Sequence, residues 1–365
     1  MISPTATSPT ATIRRHTRMA LLALSVGLAL TVSGCVTAFF PTPEATSTPT
    51  GEDVAADVGA FYEQQLVWEP CNDGMQCTTA TAPMNWEDPE AGEIELALIR
   101  KPAGGDPVGS LLVNPGGPGA SGFDFIADSI DYATDARLQA NFDIVGFDPR
   151  GVNRSTAVSC LDPAEMDQYL YGVVDAERGS DAWIAEIRAS AEEFATACAQ
   201  NTGAPLEFVD TVSAARDLDL LRAVLGDKKL NYLGYSYGTF LGATYAELYP
   251  EKTGRLVLDG AIDPASSIYE VNETQAKGFE SALAAYLDDC LVSRDCPFTG
   301  STEEALSSIG DLMASVDETP IKNVDGRMLG SSSLLTAIIY PLYIPAGEAW
   351  PLLSEMLASV MNGSA

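Results

Sequence analysis

LNYLGYSYGTFLGATYAELYP, Leu230 to Pro250, decides how the rest of the chain is read. Leu230 to Leu233 is a short apolar run of strand length, and Thr239 to Leu248 carries apolar residues at helical spacing. Between them lies Gly234-Tyr235-Ser236-Tyr237-Gly238. G-x-S-x-G between a strand and a helix is the pattern of a nucleophile elbow. Such a turn forces the serine into a strained backbone conformation, so the residues two places away on either side must be small. The hydroxyl then projects above the sheet. The backbone N–H of Tyr237, at the helix N-terminus, points to where an oxyanion would form. Ser236 is the candidate nucleophile and Tyr237 the first candidate oxyanion donor. The pattern alone occurs by chance; its weight comes from its placement between LNYL and TFLGATYAELYP.

Working outward, SLLVN (Ser110 to Asn114) is another short apolar run, stopped by Pro115-Gly116-Gly117-Pro118-Gly119-Ala120-Ser121-Gly122. Glycines and prolines packed together after a strand make a rigid loop with exposed N–H groups. An oxyanion hole needs two donors from separate segments. Gly117 is the best second donor, with Gly116 next. A phosphate-binding loop fails on detail, because no G-x-x-x-x-G-K spacing and no Lys-Ser/Thr follow. FDIVGF (Phe142 to Phe147) ends in Asp148-Pro149-Arg150-Gly151, where an Asp148–Arg150 pair could brace the glycine loop. EIELALIR (Glu93 to Arg100) alternates as a half-buried strand does, RLVL (Arg255 to Leu258) reads as one more strand, and Thr211 to Leu225 has helical periodicity. Short apolar strands alternating with helices predict an α/β fold with a mostly parallel sheet covered on both faces. Sites in such sheets form outside the carboxyl ends of the strands, where every motif above lies. From residue 268 onward only helices are expected: Glu270 to Leu291, Thr302 to Val316, Ser331 to Tyr340 and Glu348 to Met361.

The net charge is −31, from 20 Lys and Arg against 51 Asp and Glu. Acidic charge is spread along the chain and reads as a solvated surface. It disfavours nucleic acid and anionic lipid headgroups as partners and favours cationic or amine-bearing ligands. Arg14, Arg15 and Arg18 precede the apolar run Met19 to Val32, which has signal-peptide length. The run ends in Val32-Ser33-Gly34-Cys35, which resembles a lipobox with Cys35 as the lipidated residue. Residues 1–34 are therefore expected to be a lipoprotein-type signal peptide and 35–60 a Thr/Pro/Ser-rich tether. The protein would be exported and face outward on the cell membrane, or be secreted if Cys35 is incidental. The N-terminal part of the core would span 61–262, and an incomplete helical insertion 263–365. Six further cysteines suit an oxidising compartment. Local pairing is the simplest guess: Cys71–Cys77, Cys160–Cys198 and Cys290–Cys296. With no C-x-x-C pair and His16 as the chain's one histidine, no metal or cofactor is expected.

NPGGPGASG, GFDPRGVNRS, AARDLDLLRAVLG, LNYLGYSYGTFLGATYAELYP and RLVLDGAIDP, in this order, resemble the prolyl and tripeptidyl aminopeptidase family of α/β-hydrolases. The likeness is greatest to the exported actinobacterial tripeptidyl aminopeptidases. It runs from about Trp68 to Pro264, and more loosely beyond. The resemblance implies an α/β-hydrolase core with a helical cap inserted after the sixth strand. It implies a Ser-Asp-His triad, with the nucleophile at Ser236 and oxyanion donors at Gly117 and Tyr237. The substrate would be a peptide with a free N-terminus, its amine held by acidic side chains near the cap; Glu270, Glu273 and Glu280 are candidates. The family places its Asp and His after the cap, and no histidine follows Ser236 here. The expectation is an N-terminal fragment of a serine aminopeptidase, lacking the sheet's last strands and inactive by itself. The alternatives are a catalytically inactive peptide-binding protein of the same fold, or an esterase.

Overall fold

The computed structural model describes residues 45–364; the leader, Cys35 and the first part of the tether lie outside the described residues. In chain order the strands are β1 (Ala45–Thr46), β2 (Val67–Pro70), β3 (Gln76–Pro83), β4 (Glu93–Lys101), β5 (Ser110–Asn114), β6 (Asp143–Phe147), β7 (Leu230–Tyr235) and β8 (Thr253–Asp259). They form one sheet in the order β1-β2-β3-β4-β6-β5-β7-β8. The pairs β6–β5, β5–β7 and β7–β8 are parallel, and the rest are antiparallel. Every residue of β5 is buried, as a strand covered on both faces requires.

Period-two alternation divides the strand side chains between two cores. Leu112, Val145 and Tyr232 join one cluster with α1 (Gly59–Glu63), α6 (Thr211–Val224) and α7 (Tyr237–Leu248). Leu111, Val113 and Ile144 face the opposite side, against Ile126 of α2 (Gly122–Ala133). A short helix, α3 (Ala136–Asn141), leads into β6.

Residues 45–60 correct the expected tether. β1 pairs with β2, the Thr50 N–H donates to the Ala223 carbonyl at 2.9 Å, and Ser47 Oγ accepts from the Leu66 N–H at 2.9 Å. Glu52 bonds Arg222 and Lys252, both at 2.7 Å. The small hydroxyl residues that suggest a linker here satisfy backbone groups of the core instead.

Two further parts leave the sheet. A helical pair, α4 (Pro163–Tyr171) and α5 (Asp181–Thr202), follows β6 and has no counterpart among the expected elements. After β8 come α8 (Ile268–Cys290), α9 (Thr302–Glu318), α10 (Ser331–Leu342) and α11 (Ala346–Met361), close to the helices read from the sequence. The all-helical expectation needs one correction: β9 (Ile321–Lys322) and β10 (Met328–Leu329) form a small antiparallel hairpin. This cap has its own core, built on Tyr286, Leu287, Ile309, Leu334, Leu353 and Leu357. The three local disulfides form: Cys71–Cys77 across the β2–β3 turn, Cys160–Cys198 beneath α5, and Cys290–Cys296 at the end of α8.

Candidate active site

Ser236 stands at the carboxyl end of β7, where the strand turns into α7. Its backbone lies at φ 52° and ψ −121°, a region that L-residues avoid. The residue is exposed although the strand leading into it is buried. The turn is held from three sides. The Ser236 N–H donates to the Asp259 carbonyl at 2.9 Å, across the β7–β8 pair. Thr239 Oγ1 donates to the Ser236 carbonyl at 2.6 Å and accepts from the Ile262 N–H at 2.9 Å. The Tyr232 hydroxyl donates to the Gly238 carbonyl at 2.8 Å. Both elbow glycines are needed for space. A Cβ on Gly234 would lie 2.4 Å from the Gly238 carbonyl oxygen, and one on Gly238 would lie 2.8 Å from Asn114 Oδ1.

The glycine loop leaves β5 beside the elbow, because Asn114 pairs with Gly234 in the parallel ladder. Gly116 and Gly117 take φ +99° and +113°, which only glycine adopts freely. Gly116 packs directly on the elbow: a Cβ there would be 2.5 Å from the Tyr235 carbonyl oxygen and 3.1 Å from the Tyr237 nitrogen. Its N–H is already spent, donating to Asn114 Oδ1 at 2.9 Å. Gly117 is exposed, and among the described residues neither its N–H nor that of Tyr237 has a hydrogen-bond acceptor. Of the two glycines considered, Gly117 is therefore the one with a donor to offer.

Asp148 and Arg150 do not pair with each other. Asp148, fully buried, accepts from Ser121 Oγ, from the Phe123 N–H at 3.2 Å and from the Arg154 N–H at 3.1 Å. It thereby fixes the head of α2, where the glycine loop ends. Arg150 points the other way. It grips both carboxylate oxygens of Asp217 on α6 at 2.7 and 2.6 Å, and donates to the carbonyls of Pro83, Met84 and Phe208. The bracing role belongs to Asp148 alone, and Arg150 ties the loop after β6 to α6.

The side chains considered for amine binding or proton transfer are unequal. Glu270 caps its own helix, accepting from the Ser267 N–H and hydroxyl at 2.8 Å each. Glu273 pairs with Lys277 at 2.5 Å, and Glu280 is exposed. Lys252, on the turn between α7 and β8, is held by Glu52 and Asp219 at 2.7 and 2.8 Å. Asp259 is exposed beside the elbow. Burial, and then the nearby Asp259 carboxylate, raise the pKa of the Tyr235 hydroxyl, which donates to the Ala133 carbonyl at 2.8 Å. Tyr235, Phe125 and Tyr132 form an aromatic wall with edge-to-face contacts at 5.9 and 6.3 Å; Tyr132 is 74% exposed. Sequence reasoning missed this wall: Phe125 and Tyr132 lie on α2, but nothing in the spacing ties them to Tyr235 at the end of β7. Among the described residues no His, Cys, Asp and Glu side chains cluster to hold a metal ion.

An exposed serine on a strained strand–helix turn, facing a glycine loop above the parallel strands of a mixed sheet, defines a hydrolase, and the chain belongs to the α/β-hydrolase family, whose fold model matches residues 109–327. Among its relatives, it is 36% identical over 318 residues to the serine protease Hip1 of Mycobacterium tuberculosis, covering 82% of this chain and 60% of that one. It is 33% identical over 308 residues to the tripeptidyl aminopeptidase of Streptomyces lividans, covering 81% and 56%. It is also 36% identical over 353 residues to carboxylesterase B of Mycobacterium tuberculosis, covering 93% and 66%. The chain thus spans 60% of the length of the Hip1 protein.

Proposed function

We propose that the protein is an extracytoplasmic serine aminopeptidase that releases short peptides or single residues from free N-termini. The observation that carries this reading is the pairing of an exposed, strained Ser236 with the unspent N–H groups of Gly117 and Tyr237. Ser236 Oγ attacks the peptide carbonyl and passes its proton to a general base. The tetrahedral oxyanion is held by the two N–H groups, and the leaving amine takes the proton back. Water then hydrolyses the acyl-serine ester by the same route. With Lys252 held in its ion pairs, the base is a histidine supplied from outside the described residues.

Two features support an exopeptidase. The α4–α5 pair and the cap leave the sheet from the ends of β6 and β8, which flank β5 and β7. They are joined by Arg178–Asp317 at 3.0 Å and Arg327–Asp167 at 2.6 Å. Insertions that rise on both sides of the elbow and meet would leave room for a chain end more readily than for a folded loop. The net charge of −31 draws a protonated N-terminus and repels nucleic acid. Three disulfides and the leader support export, with Cys35 as the lipid attachment point.

The test is hydrolysis by the full-length gene product of paired peptides, one with a free N-terminus and one N-acetylated. Cleavage of the free peptide only, lost in Ser236→Ala, is the expected result. Activity retained in Ser236→Ala would sink the assignment. The likeness to a carboxylesterase favours a second reading, which wins if simple esters are turned over and neither peptide is.

A further inference from the structure

We infer that Asn114 is a positioning residue that sorts the N–H groups of the glycine loop, turning that of Gly116 inward and leaving that of Gly117 for the oxyanion. This rests on the serine-hydrolase reading of Ser236. Asn114 is fully buried at the end of β5, beneath the loop and beside the elbow. Its carbonyl and side-chain oxygens both lie within 3 Å of where a Cβ on Gly238 would stand, so its amide plane fits closely against the first turn of α7. Oδ1 accepts from the Gly116 N–H at 2.9 Å. That bond pulls Gly116 down onto the elbow, where a Cβ would be 3.0 Å from the Ser236 Cβ. The loop must then pass over Gly117, which is exposed.

The other half of the amide shows why this residue is an asparagine. Among the described residues Nδ2 has no hydrogen-bond partner, although it is buried. An unpaired buried donor carries a desolvation cost, and native proteins hold few of them. Aspartate would make the same bond to Gly116 without that orphan. It would also set a negative charge under the place where the oxyanion develops, and at low dielectric that repulsion acts on the transition state. An apolar residue of similar size would remove the orphan and the acceptor together. Asparagine is the isostere that accepts from Gly116 and stays neutral.

The experiment uses the full-length protein with Asn114→Leu and Asn114→Asp, reading kcat and KM on a cleaved substrate. Affinity for a boronate analogue of the tetrahedral intermediate and thermal unfolding are measured alongside. Asn114→Leu is expected to fold and to lose roughly 10- to 100-fold in kcat, with KM within a factor of two, since a misplaced group alone can cost about 10²-fold. Boronate affinity should fall by a similar factor. Asn114→Asp keeps the acceptor and should also lose kcat. The inference is overturned if Asn114→Leu keeps its kcat, if its loss lies in KM, or if Asn114→Asp turns over like the wild type. If Asn114→Leu does not fold, Asn114→Ala, which also removes the acceptor, decides by the same readouts. A wild type that hydrolyses no acyl substrate, or a Ser236→Ala variant that still does, brings down the serine reading and this inference with it.

Discussion

At φ 52° and ψ −121°, Ser236 holds a conformation that costs a non-glycine residue on the order of 1–3 kcal/mol. Glycine would relieve that strain but gives the unfolded chain more freedom, worth about 0.4–1 kcal/mol the other way. Ser236→Gly should therefore stabilise the protein by about 1 kcal/mol in urea denaturation while removing its nucleophile. A destabilised variant would mean the turn stores no strain. Gly238→Ala should do the reverse, because its Cβ would meet Asn114 Oδ1 at 2.8 Å in a buried turn. A loss of about 1–3 kcal/mol is expected by the same denaturation. The elbow was legible in the sequence because its chemistry demands small residues at fixed offsets. The partners of its neighbours were not. Nothing in N-P-G-G says which N–H the asparagine takes, and D-P-R-G suggests a local pair where the two side chains point apart. Offsets along a chain encode backbone conformation; the direction of a long polar side chain depends on elements distant in sequence.

Helix α6 shows the same limit for a whole element. TVSAARDLDLLRAV has helical periodicity, and its charges suggest a solvent face. Yet Asp217, Asp219 and Arg222 are all buried. Asp219 and Arg222 pair within the helix at 2.9 Å, and the other partners come from elsewhere: Arg150 for Asp217; Tyr62, Tyr245 and Lys252 for Asp219; Glu52 for Arg222. The residues read as tether thus supply one counter-charge of the core. Burial alone would raise the pKa of Asp219 and Glu52, but the hydrogen bonds and charges of Arg222 and Lys252 outweigh it and hold both below the usual carboxylate range. A carboxyl whose pKa is lower folded than unfolded adds stability above its unfolded pKa, about 4 for these groups. That stability is lost as pH falls through the folded values. Acid titration of the folded state should therefore show a cooperative loss below about pH 4. Glu52→Gln should flatten its slope. Asp219→Ala, which leaves Lys252 and the buried Arg222 with Glu52 as their one shared carboxylate, should cost about 3–5 kcal/mol at neutral pH. An unchanged acid transition in Glu52→Gln would show that the residue 45–60 segment contributes nothing to the core's acid sensitivity.

Across the whole molecule, the sheet was readable because each central strand is a short apolar run ended by a turn, and the cap helices because their apolar stripes are continuous. The β9–β10 hairpin was not, since two-residue strands are too short to show a period. Apolar packing divides the described residues into the two clusters on the sheet and a third inside the cap, with no buried residue shared between the cap and the sheet. The ion pairs joining the cap to the α4–α5 pair are solvated: Arg327 and Asp167 are each 44% exposed, and Arg178 is 46% exposed. Exposed pairs contribute about 0–1 kcal/mol each and weaken with salt. A cap with its own core and a weak seam should unfold separately from the sheet. Calorimetry of the described chain should resolve two transitions. Leu287→Ala, in the cap core, should lower one, and Leu218→Ala, on the buried face of α6, the other, each by about 2–5 kcal/mol for its own unit. Both substitutions moving a single shared transition would mean that the cap is cooperative with the sheet, and that access to Ser236 is set by a rigid roof. Separate transitions would make the cap a part that can shift on its seam to admit a chain end.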